Sequence, residues 1–519
     1  MYLTQSLHRA LQQHPDRNVV QFGTRSRTFR EFWDRIARLA GALKELGLRP
    51  GDRVAMLALN SDRYLEYQMA VPWAGGVLNQ CNTRWSAAEI ALSLADSGST
   101  ILLVDAPFCP MVDQCRHDAI TLREVIYCGE GNPPSSMRSY EGLVAESEPV
   151  PDVGRRGQDL AGIFYTGGTT GSPKGVMLSH TNLVSSALAA AVDGFSSAGD
   201  VYLHAAPMFH LADFGFSILT WILGNLHSIV SSFSPDAVLD AIERDAVSTV
   251  LLVPTMIQML VDHLPASRPR DLSTLRTIAY GASPISDALL DRAMTAFPGA
   301  RFAQGYGMTE LSPLAAVNVP PWPSTLSHQP SKRHATGRPA TGVELRIVDA
   351  DGIEVPRGAI GEIIVRGPNV MLGYWNNPEA TAAAIREGWM HTGDAAYMDE
   401  DGFVYVVDRI KDMIITGGEN VYSAEVECAL AHHPAVGACA VIGIPSELWG
   451  EAVHAVVVPR PGALVSAEGL ITHCKTRIAG YKCPRTVAFA ESLPLSGAGK
   501  VLKSKLREPY WRGQRRGVA

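Results

Sequence analysis

Between two apolar segments the chain carries the glycine-rich stretch Tyr165-Thr-Gly-Gly-Thr-Thr-Gly-Ser-Pro-Lys-Gly-Val176. Such a loop contributes little to packing, but its glycines let the backbone approach a ligand closely, and its amides and hydroxyls can converge on one anion. Lys174 adds a positive charge, and a strand-like run, Leu160-Ala-Gly-Ile-Phe164, comes directly before the loop. The pattern predicts a cradle for the phosphates of a nucleotide.

The loop differs from the common Walker motif, G-x-x-x-x-G-K-[ST], in which the hydroxyl beside the lysine reaches Mg²⁺. Here Pro173 precedes Lys174 and Gly175 follows it, so that hydroxyl is missing from its usual place. A surface loop without a ligand is the alternative for this stretch taken alone. The choice between the two depends on motifs further along the chain.

Composition is typical of a globular enzyme with more than one domain. The chain has 519 residues, which is too long for a single core. Hydrophobic residues make up 46% and charged residues 19%, and the net charge of −7 argues against a nucleic-acid partner. The eight cysteines include no C-x-x-C pair, which predicts no zinc site.

The remaining compositional features favour a cytoplasmic location. Residues 1–20 carry several charged and polar side chains and do not resemble a secretory leader. The most apolar run, Phe214–Leu226, is shorter than the roughly 20 residues that a membrane-spanning helix needs. We therefore expect a buried helix there and no transmembrane segment.

Local patterns predict an α/β fold. Val19–Phe22 and Arg27–Phe29 predict a hairpin, and Thr28-Phe-Arg-Glu31 predicts the capped start of a helix that runs to about Leu46. Helical and strand-like segments then alternate to about residue 315, which predicts layered helices and mainly parallel sheets.

The pattern of predicted secondary structure changes in the last third of the chain. Short strands with turns from about residue 335 predict a compact β region, and a mixed α+β pattern follows Arg409. We place a boundary near Lys411, giving a large domain at 1–410 and a small α+β domain at 411–519.

Seven segments in a fixed order carry a resemblance to a known family. They are Tyr165–Val176, Pro207-Met-Phe-His210, Tyr280-Gly-Ala-Ser-Pro284, Gly305-Tyr-Gly-Met-Thr-Glu310, His391-Thr-Gly-Asp394, Asp408-Arg-Ile-Lys-Asp412 with Gly417-Gly-Glu-Asn420, and Pro494-Leu-Ser-Gly-Ala-Gly-Lys500. Together they resemble the adenylate-forming superfamily of acyl-CoA synthetases, peptide-synthetase adenylation domains and firefly-type luciferases. The resemblance extends from about residue 10 to residue 508 and is strongest to a bacterial-type acyl-CoA synthetase.

The resemblance implies a two-step reaction and a mobile C-terminal domain. ATP and a carboxylate give an acyl-adenylate and pyrophosphate, and a thiol, usually that of coenzyme A, then takes the acyl group. Lys411 stands at the implied hinge. In one pose Lys500 would reach the reacting groups, where loss of such an electrostatic contact typically costs about 10²–10³ in rate. In the other pose the Gly417-Gly418 segment would reach them.

The resemblance also implies the nucleotide site. Asp394 and Arg409 would hold the ribose, and Tyr306 would lie against the base opposite Gly281-Ala282-Ser283. Without the resemblance, Asp394 would be interpreted as a turn residue and Arg409 as a member of a surface ion pair. The residues that we expect to contact the nucleotide, besides these, are Thr166, Gly167, Gly168, Thr169, Thr170, Gly171, Lys174, Gly305, Gly307, Met308, Thr309, Lys411, Gly417, Gly418 and Glu419.

A magnesium ion is expected beside the phosphates. Glu310 follows Thr309 in a glycine-rich turn, and a carboxylate there suits Mg²⁺, a hard cation that takes few protein ligands. We expect Thr166 and Glu310 to be its ligands, and Lys174, Thr166, Glu310, His210 and Lys500 to act in catalysis. The alternative for Glu310 is an acid at a helix N-terminus.

The acyl pocket is expected after the Pro-Met-Phe-His segment and beside the glycine segments. Its residues are expected to be His210, Asp213, Phe214, Ser217, Gly281, Ala282, Gly305, Met308 and Leu314. None is a Lys or Arg that could pair with a second carboxylate, so an apolar monocarboxylate is favoured, either a short- or medium-chain fatty acid or an aryl acid. Asp213 is unusual there, and could face solvent, hold His210 or contact a polar substituent.

The sequence departs from the family pattern in three places. Gly167 stands where a serine is usual, Ser423 stands where proline is common, and Leu495-Ser-Gly-Ala-Gly replaces a segment that usually carries arginine and threonine. None removes a residue with an expected catalytic role.

Three functions remain open at this point. The first is a CoA ligase that uses ATP, Mg²⁺ and coenzyme A, acting as a monomer or homodimer. The second is an enzyme that loads an acyl carrier protein, and the third is a non-catalytic nucleotide-binding protein.

Overall fold

The computed structural model describes residues 1–166, 173–283, 285–321, 330–495 and 501–512. Helices and strands alternate through most of this length. The helices are α1 (Gln5–Gln13), α2 (Phe29–Glu45), α3 (Asp62–Ala74), α4 (Ala87–Ser97), α5 (Val112–Asp118), α6 (Tyr140–Glu146), α7 (His180–Val192), α8 (Leu211–Leu223), α9 (Pro235–Asp245), α10 (Pro254–His263), α11 (Asp287–Ala296), α12 (Pro378–Ala384), α13 (Ser423–Ala431), α14 (Ala467–Lys475) and α15 (Lys503–Arg507).

The strands are mostly short, as in layered α/β proteins. They are β1 (Asn18–Phe22), β2 (Arg25–Thr28), β3 (Arg53–Leu57), β4 (Val77–Gln80), β5 (Ser99–Val104), β6 (Glu124–Tyr127), β7 (Arg138–Ser139), β8 (Leu160–Thr166), β9 (Lys174–Ser179), β10 (Val201–His204), β11 (Leu226–Ile229), β12 (Thr249–Leu252), β13 (Thr277–Gly281), β14 (Arg301–Tyr306), β15 (Ala316–Asn318), β16 (Arg338–Pro339), β17 (Glu344–Val348), β18 (Gly361–Arg366), β19 (Gly373–Tyr374), β20 (Ile385–Arg386), β21 (Trp389–Met398), β22 (Val404–Arg409), β23 (Ile414–Thr416), β24 (Glu419–Val421), β25 (Val436–Ser446), β26 (Gly450–Pro459) and β27 (Thr486–Phe489).

Two large sheets make up most of the chain. One has the order β16-β15-β14-β13-β12-β10-β11-β1-β2, and the other β19-β9-β8-β4-β3-β5-β6-β7. Their central strands are parallel, from β11 through β10, β12 and β13 to β14 and from β8 through β4, β3 and β5 to β6. The expected parallel α/β layers are therefore confirmed.

One hydrophobic core takes residues from both large sheets and from helices α2, α3 and α8. In it the ring of Trp221 stacks on Phe32 at a centroid distance of 5.0 Å. Helix α2 starts as the sequence predicts, because Thr28 and Glu31 form a reciprocal capping box. A cap of this kind is worth about 1 kcal/mol.

The apolar run at Phe214–Leu226 contributes to helix α8, which ends at Leu223, and to strand β11. Trp221 on this helix is almost fully buried. Within the part of the chain that the structure describes, no helix combines the length and the apolar character needed to cross a bilayer.

Two small sheets follow the large ones. Strands β17, β18, β21 and β20 form the first, with β22 paired to β21, and β24, β23, β26 and β25 form the second, with β27 paired to β26. The second sheet and helices α13 and α14 have a separate core, made only of residues after 413. A single turn of 3₁₀ helix, Ile410–Asp412, joins the two sheets. The domain boundary at 410/411 stays a prediction. It falls within this turn, between the last strand of one sheet and the first strand of the other.

Candidate functional site

The stem of the glycine-rich loop is an antiparallel hairpin. Thr166, at the end of β8, lies directly opposite Lys174, the first residue of β9. The two residues expected to contact phosphate are thus brought together. The glycine and threonine positions from Gly167 to Gly171 lie outside the described residues, so the cradle itself stays a prediction.

Glu310 lies beside this stem. It is almost fully buried, and its carboxylate accepts a 2.8 Å hydrogen bond from the hydroxyl of Tyr374. Tyr374 belongs to β19, pairs with Val176 on β9, and has its ring centre 5.2 Å from the ammonium of Lys174. Burial and the carboxylate of Glu310 raise the pKa of Tyr374, so the phenol keeps the proton that it donates.

Sequence reasoning missed Tyr374. It lies 64 residues from Glu310 along the chain, in the uncharged run Leu372-Gly-Tyr-Trp375. Trp375 also connects this segment to β9, because its backbone N–H donates to the carbonyl of Gly175 at 2.7 Å. The only available signal was a tyrosine next to a glycine, which is more often a packed turn.

The expected ribose residues lie next to each other. Asp394 on β21 pairs with Arg409 on β22, and the Nε of Arg409 is 3.3 Å from the Asp394 carboxylate. Tyr306 donates a 2.7 Å hydrogen bond to the other carboxylate oxygen. Burial, followed by the charge of Asp394, raises the pKa of Tyr306 well above its ordinary value. The hydroxyl of Tyr306 therefore orients Asp394 as a hydrogen-bond acceptor. The stacking of the Tyr306 ring against a base stays a prediction.

The two glycine segments form adjoining strand ends. Gly281 on β13 is paired with Gly305 on β14, and a Cβ at Gly281 would lie 2.3 Å from the Gly305 carbonyl oxygen. Only glycine fits at this point. Ala282 follows with a φ of 67°, a left-handed conformation that a non-glycine residue rarely adopts. The two strand ends therefore approach each other closely at this pair of glycines.

Two expected pocket residues on α8 face elsewhere. Asp213 has no exposed surface, and its carboxylate accepts from the hydroxyl of Tyr202 at 2.8 Å and lies 2.7 Å from His204 Nδ1. The expectation that it could face solvent is wrong. Phe214 is also fully buried, packing against Phe164 with ring centroids 5.9 Å apart. We correct both positions from pocket to core, because they lie on the helix face that points into the molecule.

The half-buried face of α8 holds Ala212, Gly215 and Phe216 instead. Phe216 meets the ring of Phe195 edge-on at 5.7 Å. A Cβ at Gly305 would be 3.2 Å from Leu314 and 3.6 Å from Phe195. Leu314 and Phe195 therefore pack against the backbone of Gly305, and we call Gly305, Leu314, Phe195 and Phe216 together the glycine slot.

The remaining expected site residues lie around or beyond the glycine slot. His210 directly precedes α8 and is half-buried, and Met308 and Leu314 are half-buried as well. Ser217, by contrast, is fully buried on the core face of α8.

The expected site residues from Lys411 onward belong to the hinge and the C-terminal part of the chain. Burial, with a further contribution from Arg409, lowers the pKa of Lys411 to about 8. Gly417, Gly418 and Glu419 lie exposed in the turn between β23 and β24. Their contact with nucleotide stays a prediction. Lys500 lies outside the described residues.

The described residues suit a magnesium ion better than a transition metal. They contain no group of three or more His, Cys, Asp or Glu side chains that could hold a metal. The single buried carboxylate of Glu310 matches Mg²⁺, which usually takes one or two carboxylates and completes its shell with phosphate and water oxygens.

Comparison with known proteins shows the family to which the chain belongs. The family model "AMP-binding enzyme" matches residues 7–375, and "AMP-binding enzyme C-terminal domain" matches residues 425–500. A feruloyl-CoA synthase of Amycolatopsis sp is 40% identical over 497 residues, covering 96% of each chain. A fatty acid–[acyl-carrier-protein] ligase, ScoC, of Streptomyces coeruleorubidus is 36% identical, covering 98% of this chain and 96% of its own.

Among solved structures, the anthranilate CoA ligase AuaEII in complex with anthranoyl-AMP superimposes with a TM-score of 0.90. It is 27% identical in sequence, and the match covers 98% of this chain and 97% of that one. The correspondence therefore includes the large domain and the C-terminal sheet together.

Proposed function

The chain belongs to the AMP-binding enzyme family as an ATP-dependent, AMP-forming acid–CoA ligase, and we propose that its acid is an aromatic monocarboxylate. In the first step the carboxylate attacks the α-phosphate of ATP, giving an acyl-adenylate and releasing pyrophosphate. In the second step the thiol of coenzyme A attacks the acyl carbon, giving a thioester and releasing AMP.

The glycine slot is the observation that carries the substrate proposal. Because Gly305 has no side chain, Leu314 and Phe195 pack close to its backbone, and Phe216 meets the same phenylalanine edge-on. A planar ring can lie flat against such backbone, and aromatic side chains nearby can pack against it edge-on or offset.

The charge of the slot supports the same class of substrate. Its residues are Phe195, Phe216, Gly305 and Leu314, none of which is a lysine or arginine for a second carboxylate. The feruloyl and anthranilate ligases to which the chain is similar have aromatic acids in their names. The likeness to a fatty acid–carrier-protein ligase makes that reaction the second candidate.

We assign the nucleotide contacts as follows. Asp394, oriented by Tyr306, accepts hydrogen bonds from the ribose with Arg409 beside it, and Lys174 neutralises phosphate charge. Thr166 and Glu310 would hold Mg²⁺, which supplies positive charge to the phosphate oxygens. The large domain at 1–410 and the small domain at 411–519 would rotate about Lys411, and Lys500 would stabilise the charge that develops during adenylation.

A substitution in the glycine slot tests the substrate class. Gly305→Val would fill the slot, and kcat/KM for aryl acids should fall at least about tenfold, the cost of a misfit of one methylene or more. The KM for ATP is measured in parallel, because Gly305 is also expected to contact the nucleotide, and kcat/KM for aryl acids should fall by a larger factor than the KM for ATP rises. Gly299→Ala is the control, because a Cβ there would meet nothing closer than 4.0 Å.

Two results would contradict the proposal. One is an unchanged preference for aryl over unbranched fatty acids in Gly305→Val. The other is wild-type enzyme that transfers the acyl group to a carrier protein faster than to coenzyme A.

A further inference from the structure

Ser423 makes contacts on both sides of the proposed hinge. It is the first residue of α13, is fully buried, and follows Lys411 by twelve positions. Its hydroxyl and its backbone N–H both donate to Oδ2 of Asp408, the hydroxyl at 2.5 Å. Asp408 precedes the hinge on β22 and pairs there with Ala395, next to the ribose residue Asp394.

The same hydroxyl joins the segment that follows Lys500. The ammonium of Lys503 donates to the oxygen of Ser423 at 2.5 Å and lies 2.7 Å from the carboxylate of Glu427. A serine hydroxyl can donate one hydrogen bond and accept others, so both contacts can exist at once. Lys503 follows Lys500 by three residues along the chain.

Other contacts fix this segment on the hinge. The backbones of Leu495 and Val501 pair as an isolated antiparallel bridge. Arg507 forms an ion pair with Asp412 and donates to the carbonyl of Lys411 at 3.3 Å. The C-terminal segment is therefore attached to both Asp412 and the hinge residue itself.

Carboxylates stabilise the buried ammonium of Lys503, although burial also raises the pKa of its partner Glu427. Burial works against a positive charge on Lys503, but the carboxylates of Glu427, Asp408 and Asp412 outweigh it and raise the pKa of Lys503. Asp408 also accepts a 2.8 Å hydrogen bond from the backbone N–H of Arg409. The cluster is ordered by charge-assisted hydrogen bonds, which are stronger than neutral ones.

The domains are arranged so that the Gly417-Gly418 turn is exposed. Residues 436–439 at the start of β25 face residues of α10 and α11 across a small cleft. Rotation about Lys411 would separate Ser423 from Asp408, because these residues lie on opposite sides of the hinge.

We propose that Ser423 is a positioning residue that latches the adenylating arrangement by joining Asp408 to Lys503. The latch must open before the acyl group passes to coenzyme A. Proline, which is common at this position, has neither the hydroxyl nor the N–H that Asp408 accepts from. This inference rests on the proposed two-pose ligase mechanism.

The test measures the two half-reactions separately in the full-length enzyme. Adenylation is followed by pyrophosphate exchange, and transfer by thioester formation from synthetic acyl-adenylate and coenzyme A. In Ser423→Ala, adenylation should fall about tenfold while transfer is unchanged or faster, since the variant loses a hydrogen bond made in one arrangement. Lys503→Gln should likewise slow adenylation without slowing transfer. This second variant tests the proposal if Ser423→Ala does not fold.

Ser466→Ala is the matched control. Its hydroxyl caps α14 in the same small domain, accepting a 3.1 Å hydrogen bond from Gly469. Its removal should lower the melting temperature without changing the ratio of the half-reactions. The latch is overturned if Ser423→Ala and Lys503→Gln slow both half-reactions equally, or change neither. Wild-type enzyme that forms adenylate but no thioester would instead overturn the ligase mechanism.

Discussion

The hydroxyl of Tyr374 donates a 2.8 Å hydrogen bond to the carboxylate of Glu310, and its ring lies 5.2 Å from the ammonium of Lys174. One side chain therefore contacts the expected metal ligand and the expected phosphate ligand. Because Tyr374 also pairs with Val176, the stem of the glycine-rich loop and Glu310 are held close together.

Removing this hydroxyl should weaken the use of magnesium and ATP. In Tyr374→Phe we expect the KM for Mg·ATP to rise about tenfold, because a hydrogen bond to a charged group is lost. The KM for the acid should stay within a factor of two of the wild-type value, an allowance of about 0.4 kcal/mol. Steady-state kinetics at several Mg²⁺ concentrations measure both quantities. Tyr397→Phe, in the small sheet away from Glu310, is the control, and equal effects of the two substitutions would refute the role of Tyr374.

Asp394 should control nucleotide affinity. Asp394→Ala removes the acceptor that Tyr306 and Arg409 orient, and we expect AMP affinity to fall about 100-fold, at the upper end for hydrogen bonds to charged groups. Tyr306→Phe should have a smaller effect in the same direction. Calorimetric titration with AMP measures both, and Asp351→Asn in an exposed turn is the control. Unchanged affinity in Asp394→Ala would remove it from the ribose site.

Asp213 should act on stability. Asp213→Ala leaves the buried hydroxyl of Tyr202 and the ring nitrogen of His204 without their acceptor. We expect a loss of about 2–4 kcal/mol in the free energy of unfolding, about 1–3 for each unsatisfied group with partial relaxation. Ser217→Ala on the same helix is the control, because that buried hydroxyl has no partner among the described residues. If Asp213→Ala changed the preference among acids without changing stability, Asp213 would be a pocket residue after all.

Helix α8 shows where sequence reasoning reaches its limit. The existence of the helix followed from its apolar run, but His210, Asp213, Phe214 and Ser217 were expected in the pocket only because the family resemblance implies it. The last three of these residues point into the core. Because almost every residue of α8 is apolar, periodicity could not show which side meets the substrate. Tyr374 was missed for a different reason, since its contact with Glu310 depends on the pairing of β19 with β9.

Protonation of His180 should destabilise the protein in mild acid. Burial lowers the pKa of His180 to about 4, and its Nδ1 lies 3.3 Å from the backbone N–H of Leu3, which needs an unprotonated acceptor. Between pH 6.5 and 4 the unfolded chain binds a proton that the native protein does not, so stability falls as the pH falls.

The His180 contribution should reach up to about 3 kcal/mol, given about 1.4 kcal/mol for each unit of pKa difference. Denaturant unfolding of wild type and His180→Gln at pH 7 and pH 4.5 measures it by difference. The wild type should lose more stability than the variant over this interval. Parallel curves for the two proteins would show that His180 does not titrate in this way.

The central claim is tested most directly by incubating the enzyme with ATP, Mg²⁺, coenzyme A and an equimolar mixture of aryl and unbranched fatty acids. Mass spectrometry then identifies every thioester and adenylate formed. The account predicts AMP together with CoA thioesters mainly of the aryl acids. Thioesters mainly of fatty acids, or adenylates that accumulate without any thioester, would contradict it.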